Sequence, residues 1–233
     1  MLKRFIVALL SCVLATSVAA ETLFIGAAAG YKKPLEVLIA QFAQSSGHDV
    51  KRYYGNVSQV LKQAEMDGRV DLVVGDETFI QKSGLSVIES VNLGQGVLVL
   101  AYRQGLEIKD LSQLAQLSVA MAEPKQAIFG QATQQWLAKH SNVKIGDLKM
   151  VSTIPQVLAY VSSGEVDAGF INLTEALASR SKIGGYLSLD AQDYTPIRIQ
   201  AARLDAVDAP ALTALMDFLR SESAQQQLRS FGL

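Results

Sequence analysis

The stretch Thr22-Leu-Phe-Ile-Gly-Ala-Ala-Ala-Gly-Tyr31 runs without a linker into Lys32-Lys-Pro-Leu-Glu-Val-Leu-Ile-Ala-Gln-Phe42, and the join between the two decides the fold. The first part is apolar and then small, as a buried strand entering a tight turn should be. The second places Leu35, Leu38, Ile39 and Phe42 at the i, i+3, i+4, i+7 spacing of an amphipathic helix. Pro34 suits the first turn, where a missing amide hydrogen costs little, and Gly47 is the expected stop. His48 to Tyr54 reads as a second strand. Gly55-Asn56-Val57-Ser58 then opens a helix with Val60, Leu61 and Ala64 on its inner face, ending near Gly68, and Val70 to Val74 is a third strand. This βαβαβ order predicts an open α/β sheet with helices on both faces.

Further along, Gly94-Gln-Gly-Val-Leu-Val-Leu-Ala-Tyr-Arg103 is an apolar run expected to leave the first unit as a long strand, and a second α/β block follows it. Its strands are expected at Ser118 to Ala122, Lys149 to Ser152 and Asp167 to Ile171. Its helices are expected at Gln126 to His140, with Trp136 and Leu137 facing the core, after Thr153, and from about Thr174 to Arg180. Thr153 with Gln156 three residues on forms a capping box. Val157, Leu158 and Val161 make that helix's stripe, and Gly164 ends it. Pro196 to Leu204 alternates as a half-buried strand that could return the chain to the first unit. Pro210 starts a terminal helix carrying Leu212, Leu215, Met216 and Leu219, and a shorter one containing Leu228 follows a break at Ser221 to Ser223. No internal repeat, low-complexity segment or Pro- or Ser-rich linker is evident.

Upstream, residues 1–20 have the layout of an export signal: Lys3 and Arg4, an apolar run from Phe5 to Leu14, and Val18-Ala19-Ala20 before Glu21. Leu9-Leu10-Ser11-Cys12 loosely resembles a lipobox, but Leu10 is bulky and the apolar run ahead of it short, so lipid anchoring at Cys12 is not expected. The apolar stretch also falls short of the ~20 residues of a membrane-spanning helix. The expected product is soluble and extracytoplasmic. Without residues 1–20 the chain keeps 213 residues, with 19 basic and 22 acidic side chains and no cysteine. That balance lacks the basic excess of a nucleic-acid binder, and the composition excludes a disulfide framework, a thiol nucleophile and a thiolate metal site.

The two histidines, His48 and His140, are far apart and belong to no ligand-spaced cluster, so neither a catalytic nor a metal site is expected and both are read as solvated or dipole-complementing. Asp71, Asp76 and Glu77 flank a strand, where acids commonly cap the following helix. The informative constellation is a set of helix starts after strands: Ala29-Gly30-Tyr31, Gly55-Asn56-Val57-Ser58, the Phe129-Gly130 region and Thr153-Ile154. In a doubly wound sheet such starts collect at the carboxyl ends of the strands. There, unpaired amides and the positive helix ends suit a small anion without any arginine. The bland alternative is that all four are ordinary caps. The glycines match no phosphate loop or dinucleotide fingerprint. Lys32 and Lys33 could attract an anion, although a solvated face is the simpler expectation. Of the tyrosines, Tyr31 is the one placed to line a pocket.

Several stretches resemble the periplasmic molybdate-binding proteins of ABC importers. They are Ala27-Ala28-Ala29 after the first strand, Val70-Asp71-Leu72-Val73-Val74 with Asp76, Leu158 through Phe170 with its Gly164-Glu165-Val166-Asp167-Ala168-Gly169 core, and the ending Phe218 to Gln225 through Phe231-Gly232-Leu233. The resemblance covers essentially the whole exported chain. It implies a two-lobed type II periplasmic binding fold with a two-strand hinge, residues 21–98 plus 200–233 forming one lobe and 99–199 the other. It also implies a tetrahedral oxyanion, molybdate or tungstate, held by neutral donors, and a membrane permease as partner of a monomeric, non-enzymatic receptor. By position, the family's first serine falls at Gly30, its serine cluster at Asn56-Val57-Ser58, its Pro-Ala-Gly turn at Ile128-Phe129-Gly130, its backbone ligand at Ile154 and its tyrosine at Asn172. Of these, Gly30, Asn56, Val57, Ser58, Phe129, Gly130, Ile154 and Asn172, together with Ala29 and Tyr31, are the candidate ligand-binding residues. Two side-chain ligands are changed, which leaves a different anion or organic solute as the alternative. An exported enzyme is the remaining class, disfavoured because no convergent acid, base and nucleophile are visible.

Overall fold

A computed structural model describes residues 21–204 and 209–233. The export signal and Cys12 lie outside these residues. Among the described residues no helix is long and apolar enough to cross a membrane.

The chain begins as the sequence pattern predicts, with β1 (Thr22–Ala28), a 3-10 turn (Ala29–Tyr31), α1 (Lys32–Ser46), β2 (Asp49–Gly55), α2 (Val57–Met66) and β3 (Leu72–Asp76). Three further elements, α3 (Glu77–Lys82), β4 (Val87–Gly96) and β5 (Leu98–Tyr102), follow. The apolar run through Gly94 is therefore two strands, and they belong to different sheets. The second block comprises β6 (Ser118–Ala122), α4 (Ile128–Lys139), β7 (Asp147–Val151), α5 (Ile154–Ser163), β8 (Ala168–Asn172), α6 (Leu173–Ala178) and β9 (Gly185–Ser188). The chain then returns through β10 (Ile197–Leu204) and ends in α7 (Pro210–Arg220) and α8 (Glu222–Ser230).

Two five-stranded sheets result, ordered β2-β1-β3-β10-β4 and β7-β6-β8-β5-β9. In each, three parallel strands are followed by an antiparallel neighbour: β10 against β3 in the first, β5 against β8 in the second. The same order in both halves is a structural repeat that the sequence reading did not find. Its trace in sequence is short: Gly68-Arg-Val-Asp71 enters β3 and Gly164-Glu-Val-Asp167 enters β8.

Local chemistry explains the helix ends. Gly47 and Gly164 terminate α1 and α5 at positive φ, which a side chain would resist. The expected capping box of α5 forms between Thr153 and Gln156. The strands β1, β3, β6 and β8 carry almost fully buried apolar faces, and α1 and α4 cover them with Leu38, Phe42 and Trp136. Each such side chain contributes roughly 1.5–3 kcal/mol by leaving water. His48, read as solvated or dipole-complementing, is not solvated: it is buried just past the end of α1, and its Nδ1 accepts from the Glu21 amide at 3.2 Å. His140 does sit at a helix end, stacked on Trp136, with Nε2 2.7 Å from Asp193 Oδ2.

Candidate functional site

Because β1, β2, β6 and β7 run parallel within their pairs, the helices that follow them start at the carboxyl edge of each sheet. The chain leaves β1 through the Ala29–Tyr31 turn, and it leaves β2 at Gly55, where Asn56 caps α2. In the other half Ala127 precedes α4 and Thr153 precedes α5. The four starts meet. Residues 28–31, 55–57, 127–129 and 152–154 enclose a cavity of about 40 Å³. All of these lining residues are uncharged.

The walls expose mainly apolar surface, and the helix starts set backbone amides into it. First-turn amides of a helix have no acceptor inside it, and side-chain caps relieve only some of them here. Asn56 Oδ1 accepts from the Gln59 amide at 2.8 Å, and Thr153 Oγ1 accepts from Gln156. Val57 and Ile154 are not reached by those caps. Ala127 and the residues before α1 supply no side-chain cap at all. Four positive helix ends around one small space are suited to an anion.

Seven candidate residues, Ala29, Gly30, Tyr31, Asn56, Val57, Phe129 and Ile154, lie on this lining. The other three stand elsewhere. Ser58 is half-buried off the lining, and its Oγ donates to the Lys125 carbonyl at 3.4 Å. Gly130 is the third residue of α4, and a Cβ there would fall 2.4 Å from the Ala122 carbonyl oxygen, so it permits α4 to pack on β6. Asn172 is fully buried behind the wall. Its Nδ2 donates to the Gly30 carbonyl at 3.0 Å, and its Oδ1 accepts from the Glu175 amide at 3.3 Å. The Asn56 side chain is also engaged, since Nδ2 donates to Gln126 Oε1 at 3.1 Å. Lys33, read as solvated, donates to Glu175 Oε2 at 2.8 Å and to Ser179 Oγ at 2.7 Å.

Below the cavity two polar groups stand out. The Tyr31 hydroxyl and Asp76 Oδ2 are buried, and neither finds a hydrogen-bond partner among the described residues. Burial, with the Asp76 carboxylate adding to it, holds the Tyr31 hydroxyl well above the usual phenol range, so it stays protonated as a donor. Burial also raises the Asp76 carboxyl, against the amides of Phe79 and Thr78 that its other oxygen caps. Gly96 makes this floor possible: a Cβ there would stand 2.7 Å from Phe129 Cζ and 3.1 Å from Tyr31 Oη. The sequence reading missed Ala127, Ser152, Gln126 and Glu175. Ala127 carries no cap signal, Ser152 reads as the end of a strand, and Gln126 and Glu175 act through partners distant in sequence.

Residues 23–233 match the family model described as bacterial extracellular solute-binding protein. The chain belongs to that family. As a solute-binding protein it is a receptor and not an enzyme. It is 28% identical to the molybdate-binding protein ModA of Azotobacter vinelandii, over 99% of this chain and 97% of that protein. Among solved structures, the periplasmic molybdate-binding protein of Azotobacter vinelandii superposes with a TM-score of 0.78 at 23% identity, covering 90% of this chain and 97% of that one. The sulfate-binding protein SubI of Mycobacterium tuberculosis gives a TM-score of 0.74 at 17% identity, covering 91% and 86%. The fold is thus the two-sheet architecture of periplasmic binding proteins.

Proposed function

We propose that this solute-binding protein is exported by residues 1–20, acts as a monomer in the periplasm, and delivers a small tetrahedral oxyanion, molybdate or tungstate, to an ABC permease. The cavity carries this reading. Its volume of about 40 Å³ compares with the 10–15 Å³ that a single water needs on the same measure, which suits an ion of a few heavy atoms and is small for a sugar or amino acid. Helix starts from both halves would bind its oxygens through amides of Gly30, Val57, Phe129 and Ile154, with the Tyr31 hydroxyl as a side-chain donor. No carboxylate stands on the lining to repel a dianion. Closure would be a hinge motion at the two places where the chain changes sheet, Gly96 to Leu98 and between β9 and β10.

A larger organic solute would need room beside Gly30, but a Cβ at Gly30 would already stand 3.2 Å from Asn172 Nδ2, so that space is taken. Titration calorimetry with molybdate, tungstate, sulfate and phosphate tests the assignment. Binding of molybdate and tungstate at least tenfold tighter than of the other two is expected. Failure of all four to bind removes the oxyanion reading.

A further inference from the structure

The turn that forms one wall of the cavity is held by the other half of the molecule. Asn172 ends β8 in the second sheet, and its buried amide reaches the Gly30 carbonyl of the first half at 3.0 Å, across a sequence separation of 142 residues. One turn further along α6, Glu175, only 3% exposed, accepts from Lys33 Nζ at 2.8 Å, and Lys33 also donates to Ser179 Oγ at 2.7 Å. Gly30 and Lys33 bracket the entry to α1. The start of α6 therefore grips both ends of that entry, and Asn172 Oδ1, by accepting from the Glu175 amide, ties the two grips together.

We propose that Asn172 and Glu175 form a clasp that positions residues 30–33 from across the cleft, so that closing the lobes and aiming that wall at the ligand are one event. The chemistry favours a defined closed geometry. A buried carboxylate is tolerated only beside its cation, and a buried amide only with both ends matched. Parting the lobes must break these contacts, so they weigh on the opening step that frees the ligand. The clasp should therefore act on ligand release more than on capture.

The test rests on the oxyanion reading only for its probe, molybdate, followed by stopped flow. Asn172→Asp keeps the acceptor that caps α6 but turns an acceptor towards the Gly30 carbonyl. Glu175→Gln removes the charge facing Lys33 and serves if the first variant does not fold. Each is expected to speed molybdate release about tenfold or more, with association changed less than about threefold, as interface changes generally act on dissociation. Release at the wild-type rate in a folded variant overturns the clasp. If the wild-type protein binds no molybdate, the oxyanion reading fails separately, and hydrogen exchange of the ligand-free protein decides. Faster exchange at Tyr31, Lys32 and Lys33 in either variant supports the clasp, and unchanged exchange there overturns it.

Discussion

At Tyr31 stability and binding pull in opposite directions. Its hydroxyl is enclosed without a partner among the described residues, and an unmatched buried hydroxyl costs about 1–3 kcal/mol. Tyr31→Phe, which keeps the ring against Phe129, should raise the thermal midpoint of the ligand-free protein, by roughly 1 kcal/mol in stability. The same change should weaken oxyanion binding. A melting curve and a titration on one preparation check both signs, and affinity left unchanged would remove the hydroxyl from the site. Residues whose roles are local were legible in sequence: Thr153 and Gln156 declare their cap by spacing, and Asn56 precedes a helix it does cap. Asn172 was not, because its partner at Gly30 is local only in space. The two positions where the resemblance implies changed ligands, 30 and 172, are in contact with each other, which no linear reading conveys.

At the level of the strand, the Gly164-Glu-Val-Asp167 segment owes its recognisability to structure more than to binding. Asp167 Oδ1 accepts from Arg103 Nε at 2.9 Å, and Oδ2 accepts from the Ser118 amide at 3.0 Å and hydroxyl at 2.9 Å, stapling β8 to β5 and β6. In the first sheet Asp71 plays a corresponding part, its Oδ2 accepting from the Phe24 amide at 2.8 Å. Burial alone would raise the Asp167 carboxyl, but the bonds from Ser118 and Arg103 outweigh it and leave the group below its usual 3.8. A lowered carboxyl stabilises the fold fully above that usual value, and the contribution is lost as pH falls through the lowered one. Asp167→Asn should therefore cost about 1–3 kcal/mol near neutrality, with the gap narrowing below pH 3.8; urea unfolding at pH 7 and pH 3 checks this. Strong periodicity made the helices over α1, α5 and α7 readable. The six-residue α3 buries only Ile80, and β9 is nowhere fully buried, so neither leaves a pattern to read.

Across the whole molecule, the two halves differ in how the chain assembles them. The second sheet is built from one continuous stretch, β5 to β9, whereas the first takes β1 to β4 early and β10 late. The sequence suggested this return, since Pro196 to Leu204 alternates as a strand should. What it did not convey is where the returning strand goes. β10 lies between β3 and β4, and β4 pairs with no other strand in its sheet. Long-range pairing of this kind is slow, and large chains fold unit by unit. In refolding from denaturant, pulsed hydrogen exchange should protect β6 and β8 before β3 and β4; simultaneous protection of all four would contradict this order. If residues 1–20 export the chain amino end first, the strand that emerges almost last is the keystone of the part that emerged first. Until β10 arrives, one edge of β3 stays unpaired, a ready template for pairing with another chain.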